Sequence, residues 1–354
     1  METTGNRTRR WISGIEPAAE LLSASGTEIL EIECREQPGK LRELIREFSG
    51  NTEIRSALRK LRESVQGKSG PVMFVGMGAS YCSSISGSIL LQTNGLPSFS
   101  VDAGEWLHYG APVWKDAAAS ILLTTSGESA ELVELFMRGN RETQALICNN
   151  PASTCWNLAE TRLPILAGPE YGNATKTYTN AAAASIIAAS EIAGISWQKD
   201  AEAATETFSS DLDRIFALRS RLEEFCRGAA NTEIIGRGAA YGGAIMSALC
   251  IREMTGHRAA AHTGAGFRHG QNLFPQAGEI GGKNARGDQG AFHLQSPTGS
   301  NRAAASRPLI PFSNSLGTIG RLPSGCSSST SSTPSRQATN MRSSWNQIAP
   351  GAPR

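Results

Sequence analysis

The chain has 354 residues, 40% hydrophobic and 19% charged, a composition that supports a buried core and excludes a wholly disordered, collagen-like or coiled-coil molecule. With 34 basic and 32 acidic side chains the net charge is +2, which gives the whole molecule no reason to seek a polyanionic partner. The balance is uneven, because residues 281–354 hold eight basic side chains and one acidic one, Asp288, leaving 26 basic and 31 acidic residues before them.

The opening Met1-Glu-Thr-Thr-Gly-Asn-Arg-Thr-Arg-Arg10 is basic without an apolar run behind it, so no secretory signal is expected. The Ala-rich stretch 181–189 contains Ser185 and is too short to span a bilayer. Seven scattered cysteines with no C-x-x-C fit a reducing cytoplasm better than a disulfide framework or a zinc site. Neither a metal nor a cofactor is implied, and neither nucleic acid nor membrane is an expected partner.

Residues 1–65 read as helical, with Leu41, Leu44, Ile45 and Phe48 on one face of the segment beginning at Gly39. Val72-Met-Phe-Val-Gly76 reads as a strand, followed by a glycine turn and a helix from Ser80 to Asn94. The alternation repeats: a strand from Ile121 to Thr125, a turn, a helix from Ala130 to Arg138, and a strand from Ala145 to Cys148. A short helix around Ser153 to Glu160 and a strand from Leu163 to Ala167 follow. Strands separated by helical segments predict βαβ units and a parallel sheet with helices on both faces. Helical stretches then cover 176–194 and 201–226.

The opening pattern returns at Glu233-Ile-Ile-Gly-Arg-Gly-Ala-Ala-Tyr241, repeating Phe74-Val-Gly-Met-Gly-Ala-Ser-Tyr81 at an offset of 160 residues. Gly76, Gly78 and Tyr81 map onto Gly236, Gly238 and Tyr241, a duplication on the scale of a domain. The predicted fold is therefore α/β, two tandem flavodoxin-like domains, each a parallel sheet flanked by helices. The second copy stops after Phe274. The expected organisation is a helical segment at 1–65, a first domain at 66–197, an incomplete second domain at 198–276, and a low-complexity basic tail at 277–354. The tail's composition predicts disorder. Two origins stand open, a basic interaction arm or a shifted reading frame, and a break inside a βαβ repeat favours the second.

Thr124-Thr125-Ser126-Gly127-Glu128-Ser129 joins a strand to a helix, where free N–H groups and a positive dipole end suit an anion such as phosphate. An ordinary helix cap explains the same hydroxyls equally well. Gly76-Met-Gly78-Ala-Ser80 is a second such turn, and without a third glycine it is no dinucleotide fingerprint. Glu253 lies in an otherwise apolar helical segment beside Arg252. As a carboxylate it suits proton removal next to a carbonyl, and equally half of a helix ion pair. His257, His262 and His269 form a cluster whose ordinary reading is solvated or capping histidine.

These turns, together with Gly168-Pro-Glu-Tyr-Gly-Asn-Ala-Thr-Lys176-Thr-Tyr-Thr179 and Ile251-Arg-Glu253-Met through Gly266-Phe-Arg-His269-Gly, resemble the sugar isomerase (SIS) family. The resemblance covers about residues 35–274. It is closest to the tandem isomerase module of glucosamine-6-phosphate synthase and to the fructosamine-6-phosphate deglycases. It implies a phosphate cradle at Ser80, Thr124, Thr125, Ser126 and Ser129, with Gly78 and Lys176 also in the substrate-binding set. Glu253 is implied as general base and His269 as the ring-opening or proton-shuttling histidine. That histidine comes from a neighbouring subunit in related enzymes, which implies a homodimer or larger.

Two departures steer the expected reaction. The chain opens with Met-Glu-Thr and only about 65 residues precede the first domain, so no amino-terminal glutaminase is expected. Cys250 occupies the place of the synthase's substrate-holding lysine, and the synthase's closing lysine tail has no counterpart. The expectation is a cytoplasmic deglycase or isomerase acting on a 6-phosphorylated ketosamine, typically a fructosyl amino acid 6-phosphate. The alternatives are a non-catalytic sugar-phosphate regulator and a synthase-like isomerase or deaminase without glutaminase.

Overall fold

The computed structural model describes residues 26–110, 115–226, 231–269 and 292–293. Helix α1 (Gly26–Gly50) contains Pro38, which has no N–H and so leaves the Cys34 carbonyl without its helical donor. The Gln37 side chain replaces it, Nε2 donating to Cys34 O at 3.1 Å, and the helix continues. Its face of Leu41, Leu44, Ile45 and Phe48 is buried, as the spacing predicts. Helix α2 (Thr52–Val65) starts at Asn51, whose side chain accepts from the amides of Glu53 and Ile54.

The first sheet contains β1 (Val72–Gly76), β2 (Ser98–Asp102), β3 (Ala119–Thr124), β4 (Gln144–Cys148) and β5 (Thr161–Pro164), all parallel, in the order β2-β1-β3-β4-β5. Every residue of β1, β3 and β4 is buried, because helices cover both faces of a parallel sheet. One face packs Phe74 and Ile121 against α1, α2, α7 (Lys176–Ala193) and Phe208 of α8 (Gln198–Ala217). The other packs Met73, Val75 and Leu122 against α4 (Ala103–Tyr109), α5 (Ala130–Arg138) and α6 (Thr154–Leu158). The chain moves outward from β1 to β2 and returns on the other side of β1 to form β3. Such a reversal is a topological switch point, the place where open parallel sheets form a crevice beyond the carboxyl ends of the strands, here β1 and β3.

The Ala-rich stretch of α7 lies against α3 (Ala79–Thr93). Ser185 Oγ donates to Ser83 O at 2.9 Å, and a Cβ on Gly87 would meet Ser185 O at 2.7 Å. Small side chains on both helices permit this approach. Among the described residues no helix is long and apolar enough to cross a membrane.

Helix α9 (Arg219–Cys226) leads towards a second sheet, β6 (Asn231–Gly236), β7 (Arg258–Thr263) and the two-residue β8 (Phe292–His293), parallel in the order β7-β6-β8. That order repeats β2-β1-β3. Gly78 and Gly238 adopt matching left-handed backbones, φ +53° and +54°, where each chain turns from its strand into α3 or α10 (Ala240–Thr255). Helices α3 and α10 touch: Ser86 Oγ donates to Ala239 O at 3.1 Å, and a Cβ on Gly242 would meet Cys82 O at 2.4 Å.

Several elements have no counterpart in the sequence reading, among them β2, α4, β7, the short helix Gly264–Arg268 and β8, which falls in the tail expected to be disordered. Strand β2, Ser98-Phe-Ser-Val-Asp102, is a sheet edge with little apolar content. Strand β5 ends at Pro164, short of the expected Ala167, because Leu166 takes a left-handed backbone, φ +57°, that no extended strand admits. Residues 1–25 of the expected helical segment, and all of the expected tail but residues 292–293, lie outside the described residues; those two pair with β6.

Phe48 is fully buried between α1 and the sheet, and Phe48→Ala is expected to cost about 3–5 kcal/mol through lost burial and a residual cavity. A lowered midpoint of urea unfolding would show it, and an unchanged midpoint would contradict this packing.

Candidate functional site

The hydroxyl loop sits where β3 ends beside β1. Thr124 is buried, and its Oγ1 accepts from the Gly127 amide at 3.1 Å, so this hydroxyl shapes the turn from beneath. Ser126 Oγ accepts from the Glu128 amide at 3.3 Å. Ser129 stands at the N-cap of α5 without a side-chain capping bond. Its hydroxyl is therefore not committed to the helix, against the ordinary capping reading. The loop is braced from outside: Asn150 Nδ2 donates to Ser126 O at 3.3 Å, and Glu128 Oε1 accepts from the Thr154 amide at 2.8 Å. Gly127 has φ +71°, and a Cβ there would stand 2.0 Å from Ser153 Oγ. Across the crevice, Gly78 begins α3 and Ser80 lies half-buried in its first turn.

The loop 168–176 approaches from the end of β5. Glu33 of α1 is buried; its Oε1 accepts from the Tyr171 amide at 2.5 Å and its Oε2 from the Gly172 amide at 3.2 Å. Burial pushes the Glu33 carboxyl above its usual range, the nearby charge of Glu170 adds to the rise, and the two amides and Lys176 oppose it. Glu170 is completely buried. Its Oε1 accepts from the Thr175 amide at 2.9 Å, from Thr175 Oγ1 at 2.8 Å and from the Thr177 amide at 3.3 Å, and Thr177 Oγ1 donates to Oε2. It thereby satisfies amides that the start of α7 leaves without helical partners. Lys176 is buried and its ammonium ion-pairs with Glu36 of α1. Its partner Glu36 is itself exposed, so the pair lies at the protein surface with the lysine covered.

Glu253 lies in the last turn of α10, with an exposed side chain. It does not pair with its neighbour Arg252, whose Nη1 donates to Ala259 O at 2.7 Å. Instead Glu253 Oε2 accepts from Asn173 Nδ2 at 2.7 Å, which joins α10 to the loop between β5 and α7. Its charge also acts on two thiols, Cys82 of α3 and Cys250 of α10. Burial chiefly pushes Cys82 and Cys250 each to about 12, and Glu253 adds to both rises. Cys82 is in the same turn as Ser80. Tyr178 of α7 also rises, through burial first and the same two thiols second.

His269 follows α11 (Gly264–Arg268), exposed, its amide donating to Gly266 O at 3.0 Å. No hydrogen bond or ion pair among the described residues joins it to Glu253 or to the hydroxyl loop. His262 Nε2 pairs with Glu233 Oε2 at 2.5 Å, and the His257 amide donates to Thr255 Oγ1 at 3.0 Å. The contributions of Glu33, Glu170 and Asn173 are absent from the sequence reading. Asn173 lies inside the quoted motif, but its partner is 80 residues away and no spacing announces it.

No protein-family model matches the chain. It is 25% identical over 270 residues to the glutamine–fructose-6-phosphate aminotransferase (isomerizing) of Methanothermobacter thermautotrophicus, over 75% of this chain and 44% of that protein. The chain thus spans less than half the length of the curated relatives it matches. Among solved structures, the C-terminal domain of glucosamine-fructose-6-phosphate aminotransferase from Francisella tularensis superposes with a TM-score of 0.60 at 20% identity, over 70% of this chain and 74% of that one. Glucosamine-6-phosphate deaminase from Thermotoga maritima gives 0.55 at 20% identity, over 70% and 73%. The fold is the one these proteins share, and the chain resembles the sugar isomerase family, specifically its aminotransferase isomerase module.

Two outcomes follow from this geometry. Gly127→Ala forces a side chain into a left-handed backbone and onto Ser153, and a loss of about 1–3 kcal/mol is expected in thermal unfolding. For Glu33 the folded pKa is raised, so its favourable contribution is full below the unfolded value and is lost as pH rises through the folded value. The melting temperature of the native chain should therefore fall relative to Glu33→Gln as pH rises from about 4.5. A difference constant with pH would contradict the burial of an ionising group.

Proposed function

We propose that the chain is a sugar-phosphate enzyme of the isomerase type acting on a 6-phosphorylated ketosamine, most concretely a fructosyl amino acid 6-phosphate. The observation that carries the reading is the Glu253 carboxylate, fastened to the 168–176 loop and borne on α10, which packs against the helix that bears Ser80. A carboxylate next to a crevice rimmed by helix N-termini and hydroxyls suits proton abstraction from a phosphate-anchored carbonyl compound.

In this proposal the phosphate docks on Ser80, Thr125, Ser126 and Ser129, with Thr124 and Gly78 shaping the two turns. Glu253 removes a proton from C1 of the open-chain ketosamine and a proton is returned at C2, giving an imine at C1. Water adds to C1, the C1–N bond breaks, and His269 assists protonation of the departing amine. The products are a sugar 6-phosphate and a free amine. Lys176 contributes by tying the loop to α1. The exposed position of His269, with no hydrogen bond to Glu253 in one chain, accords with its delivery from a second copy, so the working form is proposed to be a homodimer in the cytoplasm. Ketose–aldose isomerisation, or loss of ammonia from an amino sugar phosphate, uses the same groups and differs in the substrate supplied.

Incubation with fructosyl amino acid 6-phosphates, followed by an enzymatic assay for glucose 6-phosphate, tests the reading. Turnover is expected, and Glu253→Gln should reduce it by about 10²–10⁴-fold, the usual contribution of a general base, while ligand-induced thermal stabilisation persists. Tight binding with no product from any of the three substrate types would replace the enzyme by a non-catalytic sugar-phosphate sensor.

A further inference from the structure

We infer that Asn173 is a positioning residue for Glu253, fixing the orientation of its carboxylate by a single amide donor held on a rigid loop. This deepens the reading above and rests on Glu253 being the base. The Asn173 Nδ2 to Glu253 Oε2 bond is 2.7 Å long and spans 80 residues of sequence. Its polarity follows from chemistry: an Asn carbonyl oxygen at that distance would repel a carboxylate, so the amino group faces it. Charge-assisted bonds of this kind are stronger than neutral ones.

What makes the donor effective is how firmly its backbone is held. On one side, Tyr171 and Gly172 donate to Glu33; on the other, Thr175 and Thr177 donate to Glu170. Both acceptors are carboxylates with almost no exposure, 2% for Glu33 and none for Glu170. Asn173 sits between two clamps anchored in the interior. Glu253, by contrast, stands exposed at the end of a helix, where its side chain would otherwise sample several rotamers. Holding Oε2 leaves Oε1 without a hydrogen-bond partner among the described residues. Arg252, the neighbouring cation, is turned away to Ala259 O and does not compete. A base with one oxygen tethered and the other open is preorganised for proton transfer along one direction.

The test compares Asn173→Ala and Asn173→Asp with the native chain and Glu253→Gln on the same fructosyl amino acid 6-phosphate. Asn173→Ala should lower kcat by about 10-fold with KM changed less than about twofold, since geometry at the reacting atom is lost while phosphate docking is kept. Asn173→Asp preserves the shape but sets a carboxylate against a carboxylate, and should lower kcat further than alanine does. A loop that needed only the shape of Asn would give the reverse order, with Asp nearer the native chain. That order, or an unchanged kcat in Asn173→Ala, would overturn the inference.

Should the native chain turn over none of the substrates, the functional reading fails, and the contact is still read by hydrogen exchange. Faster exchange of residues 250–255 in Asn173→Ala, with residues 72–76 unchanged, would support the tether. Unchanged exchange at 250–255 would overturn it.

Discussion

Glu33 reaches from α1 to accept the backbone amides of Tyr171 and Gly172, and Glu170 closes the first turn of α7 a few residues later. Buried polar groups without partners cost more than most contacts return, so each carboxylate and each amide here depends on the other. Lys176 adds an ion pair between the same two helices. This knot braces the 168–176 loop, which carries Asn173, the donor to the carboxylate at the end of α10. A helix far upstream in sequence thereby supports the loop that meets the end of α10.

The two glycine turns show a similar division of labour. Gly78 and Gly238 share one left-handed conformation, and the sheets they serve share one strand order as far as the second sheet is described. In the first copy the turn delivers Ser80 to the crevice between β1 and β3. In the second copy the turn begins α10, and it is the far end of that helix, at Glu253, that returns towards the first copy. Close contact of α3 with α10 at Cys82 and Gly242 makes this return possible, because a glycine at the crossing lets the helices approach. The close approach of α3 to α7, through Ser185 and Gly87, packs the third side of the arrangement.

Much of the fold was legible before any coordinates. Strands β1, β3 and β4 each carry a run of apolar residues (72–75, 121–123 and 145–148), and α5 and α7 begin and end within a residue of their expected limits. Edge strand β2 was not legible, since Ser98-Phe-Ser-Val-Asp102 carries neither an apolar run nor clear alternation, and pairing with β1 alone makes it a strand. For the site, the motifs marked the hydroxyl loop, Ser80, Lys176 and Glu253. They did not distinguish what each hydroxyl does. Thr124 turns inward to the Gly127 amide, whereas the Ser129 hydroxyl is left without a capping bond.

Sequence by itself determined the class of architecture, the repeat and the identity of the chemically able side chains. Hydrophobic period, glycine placement and residue type are local properties, readable one segment at a time. Only the tertiary structure decided which of those side chains face one another. Asn173 meets Glu253 across 80 residues, Glu33 meets Tyr171 across 138, and Lys176 meets Glu36 across 140. Such partnerships arise because desolvated charges and amides must find complements wherever the packed helices bring them, and no local pattern records where that will be.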